Sequence, residues 1–459
     1  MTDDFDEPLP GTRRVLAHRL AVTQARGRAP SVVAALVRDG RTVWSAARGE
    51  LPDGADPAGV QYRIGSITKT LTAVAVLRLR DEGLLDLGDP LRAHLATPHG
   101  GDATIAQLLS HSSGLAAEAR GPWWERTPGD LRPELTDIFG PGPLKHPPGR
   151  RHHYSNPGYA LLGALVEKLR GAPWYEAVRE DVLTPLGMTR TTPLPCEPHA
   201  AGWAVHPYAD ARQPEPAVDT GRMAPAGQLW STARDLGTFA AFLAGGTEDG
   251  VLSTATLAEM RRPAVAPEAA AWDASYGLGV QLLRHDERLL VGHTGSMPGF
   301  LAAVLTSPGE RLGAVVLANA TAGPAVTSLA RDLIALTAEH EPVLPEPWRP
   351  MPAADADPAL IALTGTWFWG PTPHVLRLTA GRRVHLGPAD GAGRGSEFRP
   401  EDDGTWTGLD GYWAGETLRA VHGEDGLVSH LDLGSFVFTR KPYDPASPVP
   451  GGSDAGGWR

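Results

Sequence analysis

Apolar positions along this chain change their period more than once, and each change predicts a different kind of element. The spacing is helical from Thr12 to Arg26, then becomes an almost unbroken apolar run over Ser31–Val37. After Asp39-Gly40 a second strand-like run covers Thr42–Ala47. Two such runs joined by Asp-Gly predict a hairpin, because that dipeptide tolerates the positive backbone angles of a tight turn. Strand-like segments return at Gly279–Leu283, Leu289–Gly292, Phe300–Thr306 and Leu312–Ala318, and a helical pattern fills Ala325–His340. Between them the pattern is helical. Thr104-Ile105-Ala106-Gln107 has the spacing of a capping box. Pro157 suits a helix start ahead of the apolar face Leu161, Leu162, Leu165 and Leu169, with Gly171 at its end. Thr232–Asp235 predicts another cap before Leu236, Phe239, Ala240 and Leu243. Strands at both ends and helices in the middle predict an α+β fold. An antiparallel sheet is flanked by terminal helices, with an all-helical insertion between its halves.

The texture shifts at Glu341–Pro358, where prolines too dense for helix or central strand predict a linker. Beyond it, short strand patterns at His374–Leu378, Arg383–Leu386, Thr405–Leu409, Glu416–Val421 and Phe436–Thr439 alternate with Asp-Gly turns. They predict a small antiparallel β-barrel. The expected organisation is residues 1–340, a linker at 341–358, and a barrel with its tail at 359–459.

Composition narrows the functions on offer. The net charge is −11, which disfavours a nucleic-acid polyanion as partner. Apolar runs fall far short of a membrane span, and the acidic start Met1–Glu7 lacks the basic-then-apolar form of a secretory signal. A cytoplasmic protein without membrane partners is expected. The single cysteine, Cys196, rules out an internal disulfide and a multi-thiolate metal site. No metal or cofactor is expected. Four of the 42 cationic residues are lysine (Lys69, Lys145, Lys168 and Lys441), so a step needing a removable ammonium proton has few candidates.

One of these lysines stands in a chemical pattern. Ser66-Ile67-Thr68-Lys69 opens a helical stretch through Leu71, Val74, Ala75 and Leu79. Side chains three apart share a helix face, so Ser66 and Lys69 would be neighbours. A buried lysine can lose its proton near neutral pH and activate the serine, while N–H groups at the helix start face an oxyanion. The plainer reading makes Ser66 an ordinary N-cap. Tyr154-Ser155-Asn156 precedes the Pro157 helix: a tyrosine beside a lysine can have a lowered pKa, and the asparagine can donate to a substrate carbonyl. It could equally be a turn. His293-Thr294-Gly295-Ser296 follows the Leu289–Gly292 strand, putting a histidine, a hydroxyl and a narrow glycine on an edge strand, with the Ser296 N–H as a second oxyanion donor. A loop histidine is the plainer alternative.

Taken together and in this order, the three motifs resemble those of the serine β-lactamase and penicillin-binding-protein superfamily. The similarity is greatest to its class C branch. Thr104–Leu115, Pro148–Tyr159, Pro185–Met188 and Gly227–Leu236 also match, and the resemblance covers roughly 12–340. It implies Ser66 as acylated nucleophile, Lys69 as base and Tyr154 as second acid/base group. Asn156 would orient the substrate amide, and His293 would stand where the family lysine holds a carboxylate or polarises the tyrosine. The oxyanion hole would be the N–H groups of Ser66 and Ser296, beside Thr294 and Gly295. Trp124 and Trp230 are candidate pocket walls. The C-terminal part resembles a lipocalin-like domain appended to some of these hydrolases, from which Arg440 could reach substrate.

The resulting expectation is an acyl-serine enzyme for an ester, thioester or amide of a small or peptidic substrate. Esterase, D-residue peptidase and peptide-cyclising thioesterase activities are all compatible, the last with a peptide held on a carrier protein. The other class of function is a non-catalytic ligand-binding or sensor module on the same fold.

Overall fold

Ser31–Arg38 forms a strand in which every residue through Val37 is buried, which a sheet achieves only when both its faces are covered. The computed structural model, described over residues 7–97, 99–245, 250–266, 273–345, 347–352 and 356–442, shows how. Seven antiparallel strands run in the order Arg41–Gly49, Ser31–Arg38, Leu312–Ala318, Phe300–Ser307, Arg288–Met297, Gln281–His285 and Ala274–Tyr276. Alternation sorts their side chains. Val32, Ala34 and Leu36 join Ala314, Val316, Ala303 and Leu305 beneath helices Pro10–Gly27 and Val326–His340. Val33, Ala35 and Val37 join Val315, Leu317, Ala302 and Val304 in a larger core under the insertion. Leu16, Leu20, Leu329 and Leu333 have no exposed surface, and each contributes roughly 1.5–3 kcal/mol of burial.

The insertion is predominantly helical, with Ile67–Asp81, Ile105–Leu109, Asn156–Arg170 and Ala233–Ala244 among its helices. It is not wholly so. Gln61–Arg63 pairs with Trp230–Thr232, and Trp203–Val205 with Arg212–Pro214. These runs of three are too short for a period to register in the sequence. Both predicted caps form, Thr104 and Gln107 reciprocally and Thr232 on the Asp235 N–H. No helix among the described residues is long and apolar enough to cross a membrane.

The chain divides into two compact units, 1–344 and 345–459. In the second, eight antiparallel strands from Gly365–Trp369 to Phe436–Thr439 close into a barrel, the first pairing with the last through Phe368 and Thr439. Trp367, Leu386, Phe398, Leu433 and Phe438 fill it and are fully buried. The expected tail past residue 442 lies outside the described residues.

Asn319 ties the sheet to the insertion. Its Oδ1 accepts from the Ser31 N–H at 2.6 Å and its Nδ2 donates to the Ala201 carbonyl at 3.0 Å, with the residue 4 % exposed. Asn319→Ala strands both backbone groups. It is expected to cost about 1–3 kcal/mol, read as a lower urea midpoint at unchanged m-value.

Candidate active site

Ser66 sits at the junction of the short Gln61–Arg63 strand and the Ile67–Asp81 helix. Gln61–Gly65 and Ile67–Leu77 are buried throughout, and Ser66 alone in that stretch keeps partial exposure. It occupies the N-cap position, yet its hydroxyl caps nothing. Instead it receives a hydrogen bond from Lys69 Nζ at 3.0 Å. A serine at a cap that declines to cap is placed for another purpose.

Lys69 has no exposed surface. Its amine also donates to the Ala226 carbonyl at 2.5 Å and faces the rings of Tyr154 and Tyr159 at 5.0 and 5.8 Å. Burial penalises the charged form and outweighs the pull of Glu118 and Glu125, bringing the ammonium down to about 7. Near neutral pH much of this amine is therefore a free base touching a hydroxyl.

The Ser66 hydroxyl also lies against the Tyr154 phenol oxygen, an interaction that favours the ionised phenol. The expectation that lysine lowers its pKa fails. Burial pushes the phenol well up; the Ser66 hydroxyl offsets only part of that, and the charges of Glu118 and Glu125 add to the rise. Tyr154 is thus a protonated phenol, able to give a proton rather than a phenolate poised to take one.

The third motif reaches the site through the strand Arg288–Met297, longer than its apolar pattern suggested. This strand is interior, but its pairing with Gln281–His285 stops at Gly292, so residues 293–297 are a local edge. The Thr294 N–H turns away from the neighbouring Phe300–Ser307 strand to Gln281 Oε1 at 3.2 Å. Amide direction alternates along a strand, so the Ser296 N–H faces the same way. There it meets the serine turn: a Cβ on Gly65 would lie 2.6 Å from Ser296 N, and one on Gly295 would lie 1.9 Å from the Ile64 carbonyl oxygen and 3.3 Å from Ser66 N. Two glycines let the backbones of Ser66 and Ser296 converge as an oxyanion hole requires.

His293 takes a different part from the one expected. Nδ1 donates to the Thr294 carbonyl at 2.6 Å, which leaves Nε2 to accept from the Tyr276 hydroxyl at 2.8 Å. Burial, with the Lys69 charge adding to it, lowers its pKa to about 3. Neutral and occupied at both nitrogens, it offers nothing to a substrate carboxylate. His111 packs against Tyr154, Tyr159 and Tyr276 at 4.1, 5.0 and 4.7 Å and is likewise held neutral by burial. Tyr276 and His111 carried no spacing signal of their own, although His111 lies in the matching Thr104–Leu115 stretch.

Asn156 also departs from its expected use. Its Nδ2 donates to both oxygens of Glu118, at 3.0 and 2.9 Å, while Oδ1 is buried without a partner. Trp124, 7 % exposed, gives its indole N–H to Glu118 Oε2 at 2.8 Å. Thr294 spends its hydroxyl on Gln281 at 3.3 Å. Trp230 is not a wall. It is 2 % exposed, packed edge-on against Phe300 and His199, and its strand pairs with the one leading to Ser66. Arg440 is engaged in the barrel unit, 3.9 Å above the Trp367 ring and donating to the Thr364 carbonyl at 2.9 Å. Those contacts account for it without a substrate.

Comparison with known proteins gives this constellation its context. Residues 13–339 match the family model described as Beta-lactamase. The chain belongs to the beta-lactamase family. Residues 356–440 match a second model, a domain of unknown function. Penicillin-binding protein 4 of Amycolatopsis lactamdurans is 31% identical over 59% of this chain and 74% of its own length. A D-stereospecific amidohydrolase from Streptomyces sp. is 27% identical at a TM-score of 0.55, covering 70% of this chain and 98% of that one. The octameric penicillin-binding protein homologue from Pyrococcus abyssi has the same fold at a TM-score of 0.61 and 22% identity, over 93% and 99%. Beta-lactamase family membership supports serine-hydrolase chemistry through an acyl-enzyme in general terms.

Two outcomes follow from the site. Ser66 acylation should rise with pH through about 7 as Lys69 sheds its proton, measured as the rate of covalent labelling between pH 5 and 9. A flat profile counts against Lys69 as base. Gly295→Ala should slow labelling at least about a hundredfold, since its methyl cannot coexist with the Ile64 carbonyl and would part the two oxyanion donors.

Proposed function

We propose that this protein is a serine hydrolase or acyltransferase of the class C β-lactamase-like type, cleaving an amide, ester or thioester of a small or peptidic substrate. The observation that carries the reading is a fully buried amine, with its pKa drawn to about 7, bonded at 3.0 Å to a serine hydroxyl that serves no cap. In the first step the Ser66 proton passes to Lys69 Nζ as Oγ bonds to the substrate carbonyl carbon. The negative charge on the carbonyl oxygen falls between the Ser66 and Ser296 N–H groups. Collapse breaks the bond to the leaving group, which takes its proton from the Tyr154 phenol, and Lys69 returns the proton to Tyr154. Water or an amine then attacks the acyl-enzyme by the reverse path.

Among substrates we favour the amide of a D-residue. The Streptomyces neighbour named for D-stereospecific amidohydrolysis supports this, and a neutral, occupied His293 argues against a substrate anchored by its own carboxylate. A carrier-bound peptidyl thioester uses the same steps and remains within the proposal. Incubation with a fluorophosphonate, read by intact mass, should give one adduct per chain on wild type and none on Ser66→Ala. Absence of an adduct on wild type, or equal labelling of the variant, would overturn the acyl-serine reading in favour of a non-catalytic binding module.

A further inference from the structure

The hydrogen-bonding groups that Glu118 and Asn156 leave over are of one kind, acceptors. Glu118 is acceptor-only, so the two bonds it receives from Asn156 fix which end of that amide faces it. Oδ1 is therefore left as an acceptor, on a residue 6 % exposed, with no hydrogen bond made. A carboxylate beside an unpartnered, buried amide oxygen asks for a donor. Glu118 is not a waving surface carboxylate either, because Asn156 and the Trp124 indole hold both its oxygens.

The charges around it agree. Glu125 stands close enough for the two carboxylates to repel, and burial together with that repulsion raises its pKa. Among the described residues neither Glu118 nor Glu125 forms an ion pair; Arg126, next along the chain, is spent on Glu215 at 2.5 Å. Arg63 is buried, with Nη2 bonded to Val218 and Gln228, and its charge and that of the half-discharged Lys69 act on Glu125 only at a distance. The charges of Glu118 and Glu125 act on both Lys69 and Tyr154, the base and the acid beside Ser66. Among the described residues, two carboxylates outside any ion pair lie near a buried acceptor without a donor.

We infer that this cluster reads a primary ammonium on the acyl portion of the substrate, close to the scissile carbonyl, with the Glu118 carboxylate and Asn156 Oδ1 accepting its protons. The inference rests on the acyl-serine reading and narrows it to substrates with a free amine, such as an amide of an unblocked amino acid. An N-acylated residue offers one N–H in place of three and no charge, so it meets the same acceptors at a loss.

Protection of Ser66 from fluorophosphonate labelling tests this without requiring turnover. D-Phenylalaninamide and N-acetyl-D-phenylalaninamide are compared as protectants at pH 7 on the full chain, with the L-forms alongside. The free amine should protect at a concentration at least about tenfold lower than the acetylated form. Its advantage should fade above pH 8, where an α-amine of this kind loses its proton. In Glu118→Gln the advantage should shrink to within about twofold, and circular dichroism of the variant checks that it is folded. Equal protection by the two forms, protection by neither, or an advantage that survives Glu118→Gln overturns the inference. Labelling of wild type without any amine preference defeats this inference alone, whereas failure to label at all defeats the acyl-serine reading beneath it.

Discussion

An amine with no exposed surface is an expensive thing to bury, and the catalytic unit is arranged around that expense. Lys69 is kept where water cannot solvate its charge, and two acceptors and two aromatic faces hold the neutral or part-charged group in place. The Ile67–Asp81 helix that carries it is buried through its first three turns, Thr68, Thr70 and Thr72 included. Burial that lowers Lys69 also raises Tyr154 and lowers His293 and His111. One dry environment thus fixes the protonation of four groups, and the site starts its cycle with one base and one acid.

Much of this was legible in the sequence, for physical reasons that can be named. Strands covered on both faces leave unbroken apolar runs, so Ser31–Val37 and Leu312–Ala318 were plain. The pairing of Ser66 with Lys69 follows from helix geometry alone. What failed to show depends on partners distant in sequence. The direction of the Asn156 amide is set by Glu118, 38 residues away. The state of Tyr154 is set by desolvation from residues distant in sequence, which no local spacing encodes. Trp230 looked like a wall because it precedes a capped helix, and only the ladder with Arg63 and the packing of Phe300 place it inside. Tyr276, which fixes the His293 tautomer, belongs to a strand of three residues with no readable period.

The second unit follows the same logic at smaller scale. Eight strands, none longer than seven residues, close on themselves and leave no sheet edge to protect. The barrel's tryptophans divide by position: Trp367 and Trp413 fill the interior, whereas Trp369 remains 43% exposed. The barrel is of the kind anticipated. The family model it matches is one of unknown function, and Arg440 belongs to the barrel's own framework through Trp367.

The contact of Gly65 with Ser296 and of Gly295 with Ile64 lies on a seam, with the sheet on one side and the insertion on the other. Half of the oxyanion hole belongs to each. A fluctuation that opens this seam by an ångström would extinguish the chemistry while both cores remain packed and every helix and strand persists. The working lifetime of such a protein is therefore governed by the least stable boundary between its halves, and global unfolding would register only after function had gone.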